Sequence, residues 1–171
     1  MSELTVKKSK LDGVLIIKPP TIFKDYRGFY IETYNENLYF EAGIKIKFLQ
    51  DDISISYKNV LRGIHGDNKT NKLISCLFGS FYLVIINCDK QSPNFGKWES
   101  FNLSVKNNHQ ILVPPKHGVA HLITSKKAIF HYKQSTYYDL SSQFTYNWNY
   151  PDFDIDWPID NPILSKRDKD G

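Results

Sequence analysis

The 171-residue sequence has only two cysteines, one methionine and no long apolar segment. Its longest uninterrupted apolar run, residues 81–86, is far shorter than the roughly 20 residues of a membrane-spanning helix. Cys76 and Cys88 form no C-x-x-C pair, which argues against a redox motif. The start Met1-Ser2-Glu3 lacks a basic-then-apolar signal segment, so we expect a cytoplasmic protein without a membrane partner.

The sequence patterns of several enzyme classes are also missing. There is no G-x-S-x-G nucleophile elbow and no glycine-rich phosphate loop. A metal-binding jelly roll usually combines two closely spaced histidines with a glutamate and a distant histidine, but no glutamate follows Glu99. His117 and His121 have a suitable spacing, but Pro114-Pro115 just before them argues against a helix that would align them. We therefore expect no bound metal ion.

The charge balance is basic, with a formal net charge of +4. Much of the excess lies at the two ends of the chain, in Lys7, Lys8, Lys10, Lys166, Arg167 and Lys169. Because such terminal clusters are typical of solvated ends, the sequence favours a protein without a nucleic-acid partner.

Strand patterns dominate what the sequence does contain. Residues 53–57 and 101–105 alternate strictly between apolar and polar. Gly79-Ser80 separates two apolar runs, 72–78 and 81–88, in the manner of a hairpin turn. The aromatic content of 15% also suits pleated surfaces. Further strands are expected at residues 13–18, 28–33, 46–50, 110–113, 120–124 and 128–134.

Only one segment predicts a full helix, from the capping residue Asn35 through residue 42 to Gly43. A helical turn is expected at residues 139–143. With no repeat and no linker, residues 1–171 are expected to form one all-β domain, a barrel or jelly roll with one or two short helices. Residues 1–11 and 160–171 are then terminal extensions.

The densest polar cluster is Leu61-Arg62-Gly63-Ile64-His65, followed by Lys72. In a regular strand, Arg62 and Ile64 would face one side and His65 the other. A further strand carries Tyr132. If His65, Tyr132 and Lys72 line one cavity, the histidine can take a proton from carbon, the lysine can stabilise an enolate oxygen and the tyrosine can return a proton.

These segments resemble the dTDP-4-dehydrorhamnose 3,5-epimerase family, a resemblance carried by six motifs in register. Residues 23–32 resemble the opening F-x-D-x-R-G-x-F-x-E, residues 50–56 resemble Q-D-N-x-S-x-S, and residues 61–65 resemble L-R-G-L-H. Three later landmarks follow in family order: residues 92–98, Tyr132-Lys133 and residues 155–158. The resemblance covers nearly the whole chain.

The resemblance implies a homodimeric cupin-type jelly roll that acts on a nucleotide-linked 4-keto sugar without a metal or organic cofactor. It gives His65 the role of general base, Tyr132 that of the acid on the opposite face, and Lys72 that of steadying the C4 oxygen. The family positions that bind substrate correspond to Arg27, Glu32, Gln50, Asp52, Arg62 and His121. Of these, Arg62 is expected on the diphosphate, and Arg27 and Glu32 on the nucleotide across the dimer interface.

The sequence departs from the family pattern at several positions. Asp52 stands where the family has asparagine. The loop between His65 and Lys72 is short. The W-N-D-P motif, taken to supply the carboxylate that orients the base, reads W-N-Y-P here. Tyr150 is therefore the candidate to orient His65, with Asp152 or Asp154 as alternatives.

With these departures, the chain most resembles a branch of the family that acts on GDP-6-deoxy-4-keto-heptose for capsular polysaccharide synthesis. The resemblance therefore implies an epimerase that inverts C3 of such a sugar, and C5 where the sugar's placement allows. Three alternatives stay open: a dTDP-4-keto-6-deoxyhexose 3,5-epimerase, a 3,4-ketoisomerase of the same fold, and a non-catalytic jelly roll that binds a nucleotide sugar.

Overall fold

A computed structural model of the chain describes residues 4–19 and 21–171. Their first strands are β1 (Thr5–Lys8), β2 (Leu15–Lys18), β3 (Thr21–Asp25), β4 (Gly28–Glu32), β5 (Gln50–Tyr57), β6 (Leu61–Asp67) and β7 (Lys72–Phe78). The later strands are β8 (Ser80–Asn87), β9 (Trp98–Ser104), β10 (Gln110–Val113), β11 (His117–Ile123), β12 (Lys127–Gln134) and β13 (Gln143–Thr145). Two short helices, α1 (Glu36–Glu41) and α2 (Lys166–Asp170), complete the fold.

Two antiparallel sheets carry most of these strands. One has the order β1-β2-β10-β7-β12-β5 and the other the order β13-β6-β11-β8-β9, while β3 and β4 form a separate hairpin. The two large sheets pack face to face, with Ile74 and Phe130 of the first against Phe81 and Leu83 of the second. This arrangement confirms the predicted all-β jelly roll with one or two short helices.

The outer faces of the two sheets are covered differently. On the six-stranded sheet, α1 places Tyr39 in a cluster with Ile17 and Leu73. On the five-stranded sheet, Ile86 and Phe153 belong to a second apolar cluster. Because β8 and β11 are covered on both faces, their sequences are almost continuously apolar rather than alternating. No helix in the described residues is long and apolar enough to cross a membrane.

The predicted helix is confirmed, and one predicted strand is wrong. The side chain of Asn35 accepts a hydrogen bond from the Leu38 amide at 3.3 Å, and Gly43 follows the end of α1 with a φ of 90°. The expected strand at residues 46–50 is wrong, because residues 44–49 are irregular and β5 begins at Gln50. Ile46 and Phe48 pack towards α1 instead, which accounts for the alternation without a strand.

The assignment of both ends to terminal extensions is also corrected. β1 pairs with β2 at the edge of the six-stranded sheet. Ile163 forms a parallel bridge to Val60, and α2, which follows it, lies against β6. Asp168 in α2 is only 2% exposed. The charged residues around Asp168 resemble those of a solvated terminus, but Asp168 makes its own polar contacts inside the fold.

Candidate active site

A cavity of about 230 Å³ lies between the two large sheets. Five residues predicted for the site line it: Arg62, His65, Lys72, His121 and Tyr132. Arg62, His65 and His121 come from β6 and β11 of the five-stranded sheet, whereas Lys72 and Tyr132 come from β7 and β12 of the other sheet. A ring bound in the cavity would therefore meet histidine on one side and lysine and tyrosine on the other.

A bulge in β6 brings Arg62 and His65 to the same cavity. His65 pairs with Val119 and Arg62 with His121, so three steps along β6 match only two along β11. The extra residue shifts the side-chain alternation. The expectation that Arg62 shares a face with Ile64 is therefore wrong, because Ile64 belongs to the apolar cluster on the outer face of the sheet.

Gly63 makes this bulge sterically possible. Its φ is 121°, in a region that side chains disfavour. A Cβ at this position would lie 2.5 Å from the Val119 carbonyl oxygen and 2.6 Å from Ala120 Cα. The Gly63 amide donates to Oδ1 of Asp168 at 3.1 Å. The backbone of the bulge thus holds the Asp168 carboxylate next to His65, the proposed base in the same strand.

Asp168 is the carboxylate that contacts the proposed base. Its Oδ1 lies 2.8 Å from Nε2 of His65, obliquely to the ring N–H direction. Its Oδ2 accepts a hydrogen bond from the Ser165 hydroxyl at 2.6 Å. Burial alone would raise the pKa of Asp168, but the contacts with His65, Ser165 and the Gly63 amide lower it to about 2. A carboxylate that is ionised at neutral pH can stabilise an imidazolium on His65.

The prediction that Tyr150 orients His65 is wrong. Tyr150 packs against Tyr146 and Phe153, with ring centroids 5.0 and 4.9 Å apart. It therefore belongs to the aromatic cluster on the outer face of the five-stranded sheet. The two alternatives, Asp152 and Asp154, are exposed in and after a short helical turn. Sequence reasoning missed Asp168, although its spacing from Ser165 is that of a helix-capping serine.

The opposite wall combines a cation with a phenol. Nζ of Lys72 lies 5.7 Å from the ring centroid of Tyr132. Burial lowers the pKa of Lys72, an effect that Asp67 and Asp52 oppose and Arg167 reinforces. Burial also raises the pKa of Tyr132 to about 12, and the charge of Asp52 acts in the same direction. Tyr132 is thus a protonated phenol at neutral pH, and so a proton donor.

His121 is held as a neutral ring within the cavity. It stacks on Phe130 with ring centroids 4.0 Å apart and planes 7° apart. Burial, together with Arg62 and His65, lowers the pKa of His121 to about 3. Its Nε2 has no hydrogen-bond partner among the described residues, which leaves this nitrogen available to a polar group of a ligand.

Gln50 and Asp52 lie beside the cavity. Oδ2 of Asp52 accepts hydrogen bonds from Nε2 of Gln50 at 2.8 Å and from Nε2 of Gln134 at 2.7 Å. Gln134, which sequence reasoning missed, lines the cavity itself.

Arg27 and Glu32 lie on the β3–β4 hairpin and do not line the cavity of their own chain. Arg27 is exposed and pairs with Asp25 at 2.6 Å. Their contact with the nucleotide across a dimer interface stays a prediction.

Arg167 is a cationic residue that the sequence analysis left out of the site. It precedes Asp168 in α2, lines the same cavity and donates from Nε and Nη2 to Oγ1 of Thr145 at 3.1 and 2.7 Å. With Arg62 and Lys72 it gives the cavity a positive lining suited to an anionic ligand. Within residues 4–19 and 21–171, no group of three or more His, Cys, Asp or Glu side chains is placed to hold a metal ion.

The family model for dTDP-4-dehydrorhamnose 3,5-epimerase matches residues 8–171. Curated enzymes of that name from Salmonella typhimurium and Shigella flexneri are 39% and 36% identical, over 96% and 98% of this chain and 92% and 94% of theirs. A crystal structure of dTDP-6-deoxy-D-glucose-3,5-epimerase from Legionella pneumophila Philadelphia 1, in complex with dTDP-4-keto-L-rhamnose, is 34% identical. It superposes with a TM-score of 0.90 over 97% of this chain and 90% of its own. The chain belongs to the dTDP-4-dehydrorhamnose 3,5-epimerase family.

Proposed function

We propose that this protein is an epimerase that inverts C3 and C5 of a dTDP-linked 4-keto-6-deoxyhexose. One observation carries the proposal: the His65–Asp168 pair faces Lys72 and Tyr132 across a single cavity between the sheets. A histidine base on one side and a phenol donor on the other is what inversion of a carbon next to a carbonyl requires.

The reaction follows from the acidity of the C–H bonds beside the C4 ketone. His65 removes the C3 proton, and the electron pair of that bond forms a C3–C4 double bond while the C4 carbonyl becomes an enolate whose charge rests on the C4 oxygen. Lys72 stabilises this charge, and Asp168 stabilises the imidazolium. Tyr132 then donates its proton to C3 from the opposite face, so that the centre inverts and the ketone re-forms. The same sequence at C5 completes a double epimerisation.

The choice of nucleotide rests on the relatives. Those from Salmonella and Shigella are named for dTDP-4-dehydrorhamnose, and the Legionella structure contains a dTDP sugar. These names favour the dTDP-hexose alternative over the GDP-heptose substrate and capsular role expected from the sequence. The positive lining formed by Arg62 and Arg167 suits the diphosphate that both nucleotide sugars share.

A homodimer is part of the proposal. Arg27 and Glu32 on the β3–β4 hairpin do not line the cavity of their own chain, and in the proposed dimer they reach the nucleotide bound to the other copy. The non-catalytic alternative was motivated by the missing W-N-D aspartate. That motivation is weaker now, because Asp168 contacts His65 from another part of the chain.

The proposal is tested by proton NMR in D₂O with freshly generated dTDP-4-keto-6-deoxyglucose. We expect the C3 and C5 proton signals to disappear, and His65→Asn to abolish both exchanges. Loss of the C3 signal alone would make the protein a 3-epimerase. Exchange only with GDP-6-deoxy-4-keto-heptose would restore the GDP-heptose assignment.

Two further results of the same measurement would overturn the proposal. Transfer of the carbonyl from C4 to C3 would identify a ketoisomerase. Saturable binding of the dTDP sugar, with no exchange of either proton and no change in the sugar, would identify a binding protein.

A further inference from the structure

Asp52 and Tyr132 stand directly opposite each other in two paired strands. The register of β5 and β12 makes them Cα partners, and residues opposite each other in an antiparallel pair project from the same face. Tyr132 and Gln134 both line the cavity. Since Gln134 also binds Asp52, the carboxylate and the phenol lie on the same, inner side of the sheet.

The carboxylate of Asp52 is fixed by two side-chain amides. Gln50 and Gln134 both donate to Oδ2, at 2.8 and 2.7 Å. Asp52 is therefore fixed in place beside the group proposed as proton donor.

Three cations line the cavity with Tyr132, and the carboxylates Asp67 and Asp168 lie behind Gln143 and His65. The charged or titratable groups that line the cavity with it are Lys72 on β7, Arg62 and His65 on β6, His121 on β11, Arg167 on α2 and Tyr138 after β12. Lys72 is 5.7 Å from the ring of Tyr132. Positive charge at this distance favours the phenolate, which cannot donate a proton. A fixed carboxylate opposite Tyr132 offsets this effect.

We propose that Asp52 is a positioning residue that destabilises the phenolate of Tyr132, so that Tyr132 regains its proton after each turnover and stays the proton donor. This inference rests on the proposed function. The matching segment of the family motif, Q-D-N-x-S-x-S, has a neutral asparagine at this position, so the charge is a property of this chain.

The consequence for turnover follows from the charge of Asp52. After Tyr132 has given its proton to carbon, the phenolate lies beside a carboxylate and is destabilised by it. It therefore recovers a proton quickly, and the enzyme returns to the state in which His65 is the base and Tyr132 the donor.

The test compares Asp52→Asn with Asp51→Asn. Asp51→Asn is the matched control, because it removes the same charge one position away. The Asp51 side chain pairs with Lys133 and His131 on the exposed face. Protein carrying ¹³Cζ-tyrosine is titrated by NMR from about pH 7 to about pH 11, and Tyr132→Phe identifies the signal of Tyr132. In the wild type this phenol should stay largely protonated throughout, since burial and Asp52 raise its pKa to about 12.

In Asp52→Asn we expect Tyr132 to titrate about one pH unit lower than in the wild type, and in Asp51→Asn we expect no change. The alkaline limb of kcat should move in the same direction, because Asp52 also raises the pKa of Lys72. An unshifted Tyr132 titration in folded Asp52→Asn would overturn the proposal, as would an equal shift in Asp51→Asn. If Asp52→Asn does not fold, Asp52→Ser provides the same neutral comparison.

The titration needs no substrate, so it separates two failures. A wild type that fails to exchange protons in any nucleotide sugar overturns the proposed function, whatever the titration shows. A wild type that turns over while Tyr132 titrates independently of Asp52 overturns this inference alone.

Discussion

Oδ1 of Asp168 lies 2.8 Å from Nε2 of His65, although the two residues come from opposite parts of the chain. The contact depends on the bulge at Gly63, whose amide binds the same carboxylate oxygen. It also depends on Ser165, which begins α2 and binds the other oxygen. The C-terminal segment is thus part of the site, and the carboxylate beside the base needs no W-N-D-P motif.

Replacing Asp168 by asparagine should slow C3 exchange about 10²- to 10⁴-fold, because a neutral amide orients His65 less well and does not stabilise its imidazolium. The expected loss is in kcat rather than KM, because Asp168 stabilises the imidazolium formed during the reaction. Initial rates of deuterium incorporation measure this. Asp154→Asn is the control, since Asp154 is exposed. Equal losses in the two variants would contradict the role of Asp168.

The same carboxylate links stability to pH. Its pKa is about 2 in the folded protein, below the ordinary 3.8, so the ionised form stabilises the fold. This stabilisation, about 2 kcal/mol, is fully present above about pH 4 and is lost as the pH falls through 2. The difference in unfolding free energy between wild type and Asp168→Asn should therefore be about 1 kcal/mol smaller at pH 3 than at pH 7. Urea denaturation at both pH values measures it, and a difference that is constant or grows on acidification would contradict the assignment.

How far the sequence predicts the site depends on the kind of structure that carries each residue. Lys72 and Tyr132 lie in regular strands, where alternation and the family motif identify the cavity-lining residues correctly. Arg62 was assigned to the wrong side of its strand, because a bulge adds a residue that alternation cannot reveal. Asp168 was missed because a five-residue helix leaves little periodic signal, and its partner His65 is distant in sequence.

Gly63→Ala should destabilise the protein by about 3 kcal/mol, from a disfavoured φ and a Cβ forced against backbone atoms. The nearest would be the Val119 carbonyl oxygen, at 2.5 Å. Gly28→Ala is the matched control, since Gly28 has a φ of 130° but no atom within 4 Å of the added Cβ. The difference between the two variants in unfolding free energy, from thermal and urea unfolding, measures the steric part of the loss. Similar losses in the two would show that backbone conformation alone accounts for the effect.

Lys72→Met should reduce the rate of C3 exchange about 10²- to 10³-fold, because it removes the charge that stabilises the enolate oxygen while keeping a side chain of similar length. Burial lowers the pKa of Lys72, so the wild type should lose activity as the pH rises through a value below that of an ordinary lysine. A rate for Lys72→Met within a few-fold of the wild type would exclude this role for Lys72.

Arg27→Ala and His65→Asn should complement each other if the site is shared between two copies. Each variant alone is expected to be nearly inactive: the first lacks the nucleotide contact in both sites and the second lacks both bases.

A heterodimer of the two variants contains one site in which His65 of one protomer meets an intact Arg27 from the hairpin of the other. Co-expression with two affinity tags isolates this heterodimer, and deuterium exchange should recover to about half the wild-type rate per dimer, the share of one intact site in two. If Arg27 served the cavity of its own chain, each site of this heterodimer would lack one of the two groups and exchange should not recover. Placing Arg27→Ala/His65→Asn together in one chain and pairing it with wild type reverses the outcome. That pairing should leave no intact site in a shared arrangement and one intact site otherwise.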